Sequence, residues 1–194
     1  MTRTALAHVL SDVFAPAVSV SLICVVAGTA EEHWGFAGIA WGLAAAFFCA
    51  LVPTIAIHLG VRRRRITDRH VTRRDQRWPI FLVCVVSVLC CLCFAFAFKA
   101  PALLVHVLLT MLAGLAIAVT ATLLGLKVSM HAFCFTALGA LVAVVASPWW
   151  TLALLALLPV VAFARLQLRH HTLAEVILGA GLGASVMLAS QLFR

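Results

Sequence analysis

Long apolar runs separated by short polar clusters set the pattern of this chain. Seven runs stand out: Phe14–Thr29, Phe36–Leu59, Pro79–Phe98, Ala102–Leu124, His131–Ala146, Trp149–Ala164 and Thr172–Leu192. A helix that crosses a bilayer needs about 17–25 largely apolar residues, and most of these runs reach that length. The fifth and sixth are short, and Pro148-Trp149-Trp150 between them reads as an interfacial corner with aromatic anchors. None of the runs alternates polar and apolar residues as a barrel strand would, so helices are the expected element. The pattern predicts an all-α, polytopic transmembrane helical bundle of six or seven spans, forming one integral membrane domain over residues 1–194. Met1 to Asp12 carries Arg3, His8 and Asp12, and no small-residue cleavage site follows the first run. That run is therefore expected to be a retained span and not a signal peptide.

Composition agrees with this reading. Apolar residues make up 65% of the chain and charged residues 10%, against about a quarter charged in soluble domains. The formal charge is +8, and eight of the twelve arginines fall between Arg62 and Arg77. Such a cluster suits a membrane face rich in phosphate headgroups, and Arg62–Arg65 reads as a topology signal. No soluble basic surface is left over for nucleic acid. The polar breaks also alternate. Glu31-Glu32-His33, Lys99-Ala100-Pro101 and Ser147-Pro148 fall on one side by span counting. The N-terminus, Val61–Trp78, Leu126–Met130 and Arg165–His171 fall on the other. The positive-inside rule assigns the arginine-rich side to the cytoplasm of a multi-pass cell-membrane protein. All seven cysteines lie in apolar runs and read as small apolar helix residues. Gly179-Ala180-Gly181-Leu182-Gly183-Ala184 reads as a close-packing helix face.

Three clusters with chemical potential fall on the arginine-rich side: Asp68 through Pro79, Lys127-Val128-Ser129-Met130-His131, and Arg165 through Glu175. Guanidinium forks and an ammonium suit phosphate oxygens, and Ser129 near a helix start adds a hydroxyl donor. Two histidines, His131 and His171, suit a general acid and a nucleophile. If the segment from Thr172 is helical, His171 and Glu175 stand one turn apart on one face, where the carboxylate can hold one ring nitrogen. That register prefers His171 over its neighbour His170. No cluster pairs aspartates as a magnesium-held diphosphate requires, so no metal and no cofactor are expected.

These residues resemble the motifs of the type-2 phosphatidic acid phosphatase superfamily, which includes lipid phosphate phosphatases and vanadium haloperoxidases. The family pattern Ser-Arg-x5-His-x3-Asp is similar to Arg165, His171 and Glu175 at matching separations. Pro-Ser-Gly-His is matched in part by Ser129 and His131. Lys-x6-Arg-Pro is matched loosely by Arg77 with Pro79, and Arg69 or His70 in place of its lysine. The phosphatase-like core would span about residues 61–192. Ala164, Val128 and Met130 stand where the family has serine, proline and glycine, and Glu175 stands for aspartate. The resemblance implies a hydrolase in which His171 attacks phosphorus, Glu175 orients its ring and His131 protonates the leaving group. Arg165, Arg77 and Lys127, with Arg69 and Ser129, would bind the phosphate. The expected partners are membrane lipid and a lipid phosphate or isoprenoid phosphate substrate, and a homo-oligomer is left open.

Two other functions are compatible with the residues. One is a magnesium-dependent membrane prenyl-diphosphate transferase or cyclase using Asp68 and Asp75, although their spacing is wrong and a second aspartate-rich motif is absent. The other is a non-catalytic lipid-binding protein on the same frame.

Overall fold

The computed structural model describes residues 2–31 and 35–193, so Glu32 and His33 of the acidic loop lie outside the described residues. Every regular element among them is helical. Six helical stretches are long and apolar enough to cross a membrane, and a seventh, shorter apolar helix accompanies them. The chain is thus an all-α, multi-pass membrane protein. It divides into two compact units, Met1–Ser19 with Gly125–Arg194, and Val20–Leu124.

The first unit joins the start of the chain to its last third. Helix α1 spans Arg3–Val13, where hydropathy alone placed only a polar lead-in to the first span. Thr2 caps it by accepting a hydrogen bond from the Ala5 N–H at 3.2 Å. Ala7 and Ser11, four residues apart on one face, are its buried positions, and the helix packs on α9 (Leu158–Gln167). Polar residues at positions 8, 11 and 12 interrupt the apolar run without interrupting the helix. Helix α2, Pro16–Thr29, follows after a break at Phe14-Ala15, because Pro16 has no N–H to continue the ladder.

Helix α7, Met130–Val145, is the centre of this unit. It is buried on all sides from His131 to Leu141. Sixteen residues rise about 24 Å, less than the ~30 Å hydrocarbon core, which accounts for its short run in the sequence. Its main neighbour is α10, Leu173–Ser190, with α8 (Pro148–Leu155) and α9 also against it. Trp149 and Trp150 are exposed at the start of α8. The α7–α10 contact is backbone against backbone. A Cβ on Gly179 would come within 2.5 Å of the Ser129 carbonyl oxygen, and one on Gly183 would overlap the Phe133 carbonyl. Thr136 Oγ1 donates across the same seam to the Ala180 carbonyl at 2.8 Å. Gly181 faces open space.

The second unit holds the rest of α2, then α3 (Phe36–Ala46), a π-helical turn (Phe47–Leu51) and α4 (Val52–Arg62), followed by α5 (Arg77–Ala97) and α6 (Ala102–Leu123). Gly28 lies against Gly38 and Gly42, a second close approach of small residues. The π turn precedes Pro53, and Ser87 Oγ donates to the Phe48 carbonyl within it at 2.5 Å. All seven thiols are free.

Between α4 and α5 the arginine-rich segment is folded, not loose. Asp68 accepts from the His70 and Thr72 N–H groups and from the Thr72 hydroxyl. Gln76 and Thr67 bond reciprocally, each contact at 2.9 Å.

The glycine seam generates a paired test. Gly183→Ala should lower the apparent melting temperature in detergent, because overpacking costs ~1–3 kcal/mol. Gly181→Ala should leave it unchanged or raise it, since alanine gains up to ~1 kcal/mol over glycine in a helix. Equal effects would show that the close approach does not hold the unit together.

Candidate active site

The third cluster is built by two helix ends. Helix α9 terminates in a Schellman turn: the His170 N–H donates to the Arg165 carbonyl at 3.1 Å and the Arg169 N–H to the Leu166 carbonyl at 2.9 Å. Arg169 takes the left-handed conformation with φ 53°, a position that favours glycine and costs an arginine ~1–2 kcal/mol. The chain then runs extended through Thr172, the N-cap of α10. His171 therefore stands before the helix and not on its first turn, which corrects the expected one-turn spacing.

The contact with Glu175 is made by a capping box instead. The Glu175 N–H donates to Thr172 Oγ1, and Glu175 Oε2 reaches back to accept from the Thr172 N–H, both at 3.3 Å. The same Oε2 lies 2.7 Å from His171 Nδ1. Aspartate is one methylene shorter, whereas glutamate is the residue a capping box uses at this position.

With Nδ1–H donated to Glu175, the neutral His171 ring carries its lone pair on Nε2, which bonds to nothing among the described residues. His171 is buried. Burial pushes its pKa down from 6.5 to about 4, helped by the positive charges of Arg165 and Lys127 and opposed by the bond to Glu175. The imidazole is therefore neutral at pH 7, in a positive electrostatic field.

Arg165 and His131 meet in the interior of the same unit. Arg165 is 1% exposed and His131 is 4% exposed. Arg165 Nη1 lies 3.5 Å from His131 Nε2 and donates to Ser11 Oγ at 2.6 Å. His131 Nε2 is 3.2 Å from the Ser11 carbonyl oxygen and 3.4 Å from its hydroxyl.

The second cluster adds two further groups. Lys127 Nζ donates to the His170 carbonyl at 2.8 Å, and the Ser129 N–H donates to the Glu175 carbonyl at 3.2 Å. These bonds tie the start of α7 to the end of α9 and the start of α10. Ser129 occupies the N-cap of α7 but its side chain makes no capping bond. Its hydroxyl is fully buried and has no hydrogen-bond partner among the described residues. An unmatched buried hydroxyl costs about 1–3 kcal/mol, so the position suits an acceptor brought by a ligand.

Arg77 and Arg69 belong to the second unit. Arg77 is buried and its Nε donates to the Val71 carbonyl at 3.3 Å, while Arg69 is exposed. The His70 N–H is held by Asp68. Asp75 pairs with Arg73 at 2.8 Å, so both aspartates considered for magnesium serve the local fold. No group of three or more metal-ligating side chains occurs among the described residues.

Of the eight residues that sequence reasoning selected, six fall in one unit: Lys127, Ser129, His131, Arg165, His171 and Glu175. Ser11 was missed. Nothing in its surroundings resembles a motif, and its only sequence cue is the helix-breaking Pro16 five residues later. Comparison with protein-family models, curated proteins and solved structures returns no match for this chain.

The His171 environment can be tested directly. A histidine-labelled sample followed by nitrogen NMR should show this ring neutral, protonated on Nδ1, with a midpoint near 4. Because the folded state binds this proton more weakly than the unfolded chain, its contribution to stability is complete above about pH 6.5. That contribution should fade as pH falls toward 4. An ordinary midpoint near 6.5 would contradict the burial and field described.

Proposed function

We propose that this protein is an integral membrane phosphatase that hydrolyses a lipid phosphate or isoprenoid (di)phosphate through a phosphohistidine intermediate, without a metal. The observation that carries the reading is the 2.7 Å bond from His171 Nδ1 to Glu175, which leaves a neutral imidazole with Nε2 free beside two fixed cations. The spacing of Arg165, His171 and Glu175, similar to the third motif of the type-2 phosphatidic acid phosphatases, supports the same chemistry.

In the first half-reaction His171 Nε2 attacks phosphorus as the bond to the leaving oxygen breaks, and His131, protonated on both ring nitrogens, gives its Nε2 proton to that oxygen and is left neutral. Arg165 and Lys127 balance charge on the equatorial oxygens, where it peaks in the transition state. Ser129 Oγ donates to one of them. Glu175 stabilises the positive charge that develops on the His171 ring. In the second half-reaction a water attacks the phosphohistidine while His131 accepts its proton. The N–P bond breaks with its electron pair returning to His171 Nε2, so the ring regains its neutral form as inorganic phosphate departs. Arg77 and Arg69 are assigned to the phosphate only by the motif resemblance.

The eight arginines between Arg62 and Arg77 orient this segment to the cytoplasm of the cell membrane by the positive-inside rule. That orientation favours substrates made during lipid or isoprenoid synthesis.

Purified protein should release phosphate from phosphatidic acid, phosphatidylglycerol phosphate or an isoprenoid phosphate equally well with and without EDTA, and vanadate should inhibit it. His171→Ala should lower the rate by at least about a thousandfold, the scale of losing a nucleophile. Retained activity in that variant ends the mechanism. Vanadate binding with no turnover of any substrate would select the lipid-binding alternative, and release that requires magnesium would select the prenyl-diphosphate one.

A further inference from the structure

The N-terminal helix reaches the two buried groups to which the proposed reaction gives phosphate binding and proton transfer. In an unbroken helix the Ser11 carbonyl would accept from the Ala15 N–H. Here the Ala15 N–H bonds to the Asp12 carbonyl at 3.2 Å, since Pro16 ends the ladder one residue on. Ser11 therefore presents both its oxygens sideways from the last turn of α1. Its hydroxyl takes the Arg165 Nη1 proton at 2.6 Å, and its carbonyl lies 3.2 Å from His131 Nε2. This carbonyl belongs to the negative end of the helix dipole, which suits two cationic or proton-donating neighbours.

We propose that Ser11 is a positioning residue of the phosphate site. Its hydroxyl fixes the Arg165 guanidinium so that the remaining N–H groups keep one orientation. Its carbonyl accepts a hydrogen bond from His131 Nε2 and thereby keeps a proton on that atom until the leaving oxygen takes it. A serine bonding between membrane helices is commonly a packing device. Ser11 differs because both of its partners are groups assigned to the reaction, and all three side chains are almost wholly excluded from solvent. A bond from a charged donor at 2.6 Å is the short, strong class of hydrogen bond.

This inference rests on the phosphate reading, and the test separates the two. Orthovanadate affinity is measured by thermal shift and vanadium NMR on the detergent-purified full chain, which requires no turnover. Ser11→Ala should weaken vanadate binding about tenfold or more, the scale of one charged hydrogen bond. Ser11→Thr keeps the hydroxyl and should stay within about threefold of wild type, and the melting temperatures of the ligand-free proteins should agree. A packing role would predict lower melting temperature with unchanged affinity. If Ser11→Ala fails to fold, Ser11→Cys keeps the volume with a poor acceptor and should show the same weakening. Wild type that binds vanadate with Ser11→Ala or Ser11→Cys equal to it or tighter overturns the role of Ser11 and leaves the phosphate site standing. Wild type that binds no vanadate overturns both.

Discussion

One carboxylate oxygen organises the corner of this protein where α9 ends and α10 begins. Glu175 Oε2 accepts from the Thr172 N–H and from His171 Nδ1. The first bond belongs to the start of a helix and the second to the ring of a histidine outside it. The conformation that begins α10 is thus the conformation that sets which nitrogen of His171 carries a proton. Upstream, the Schellman turn of α9 delivers the chain to Thr172, and the Ser129 N–H holds the Glu175 carbonyl from the side of α7. Local helix rules, applied at the end of α9 and the start of α10, bring most of these groups together.

The membrane setting raises the electrostatic stakes. A guanidinium excluded from solvent interacts far more strongly with its neighbours than one on a soluble surface. Arg165 and Lys127 together disfavour a third positive charge on His171, and burial works in the same direction. The result is an imidazole held neutral by its surroundings, which is the form able to attack an electrophile. The Ser129 hydroxyl adds a donor kept in the interior with no acceptor among the described residues.

Much of this was legible in the sequence because spans announce themselves by composition and the third cluster by spacing. Arg165, His171 and Glu175 are close in the chain, so their meeting needed only a turn and a helix start. The route of that meeting was not legible. A helix running through His171 and a capping box starting one residue after it both leave His171 four residues before Glu175, and hydropathy does not tell them apart. Helix α1 was hidden for a different reason: His8, Ser11 and Asp12 lower its hydropathy although the helix continues through them. Ser11 joins the site across more than a hundred residues of chain, and no local pattern encodes such a contact. Gly179 and Gly183 were readable as packing residues, whereas their partners Ser129 and Phe133 were not.

The glycine seam has a mechanical meaning for the reactive groups. Gly179 sits one turn beyond Glu175, and its contact, Ser129, sits two residues before His131. The separation of α7 and α10 at these glycines is thus set by main chain touching main chain, with Thr136 the side chain that bonds across the seam. Spacing of this kind is stiff. Whatever bends or tilts one of these helices in the bilayer must carry the other along, so His131 and the His171–Glu175 pair travel together.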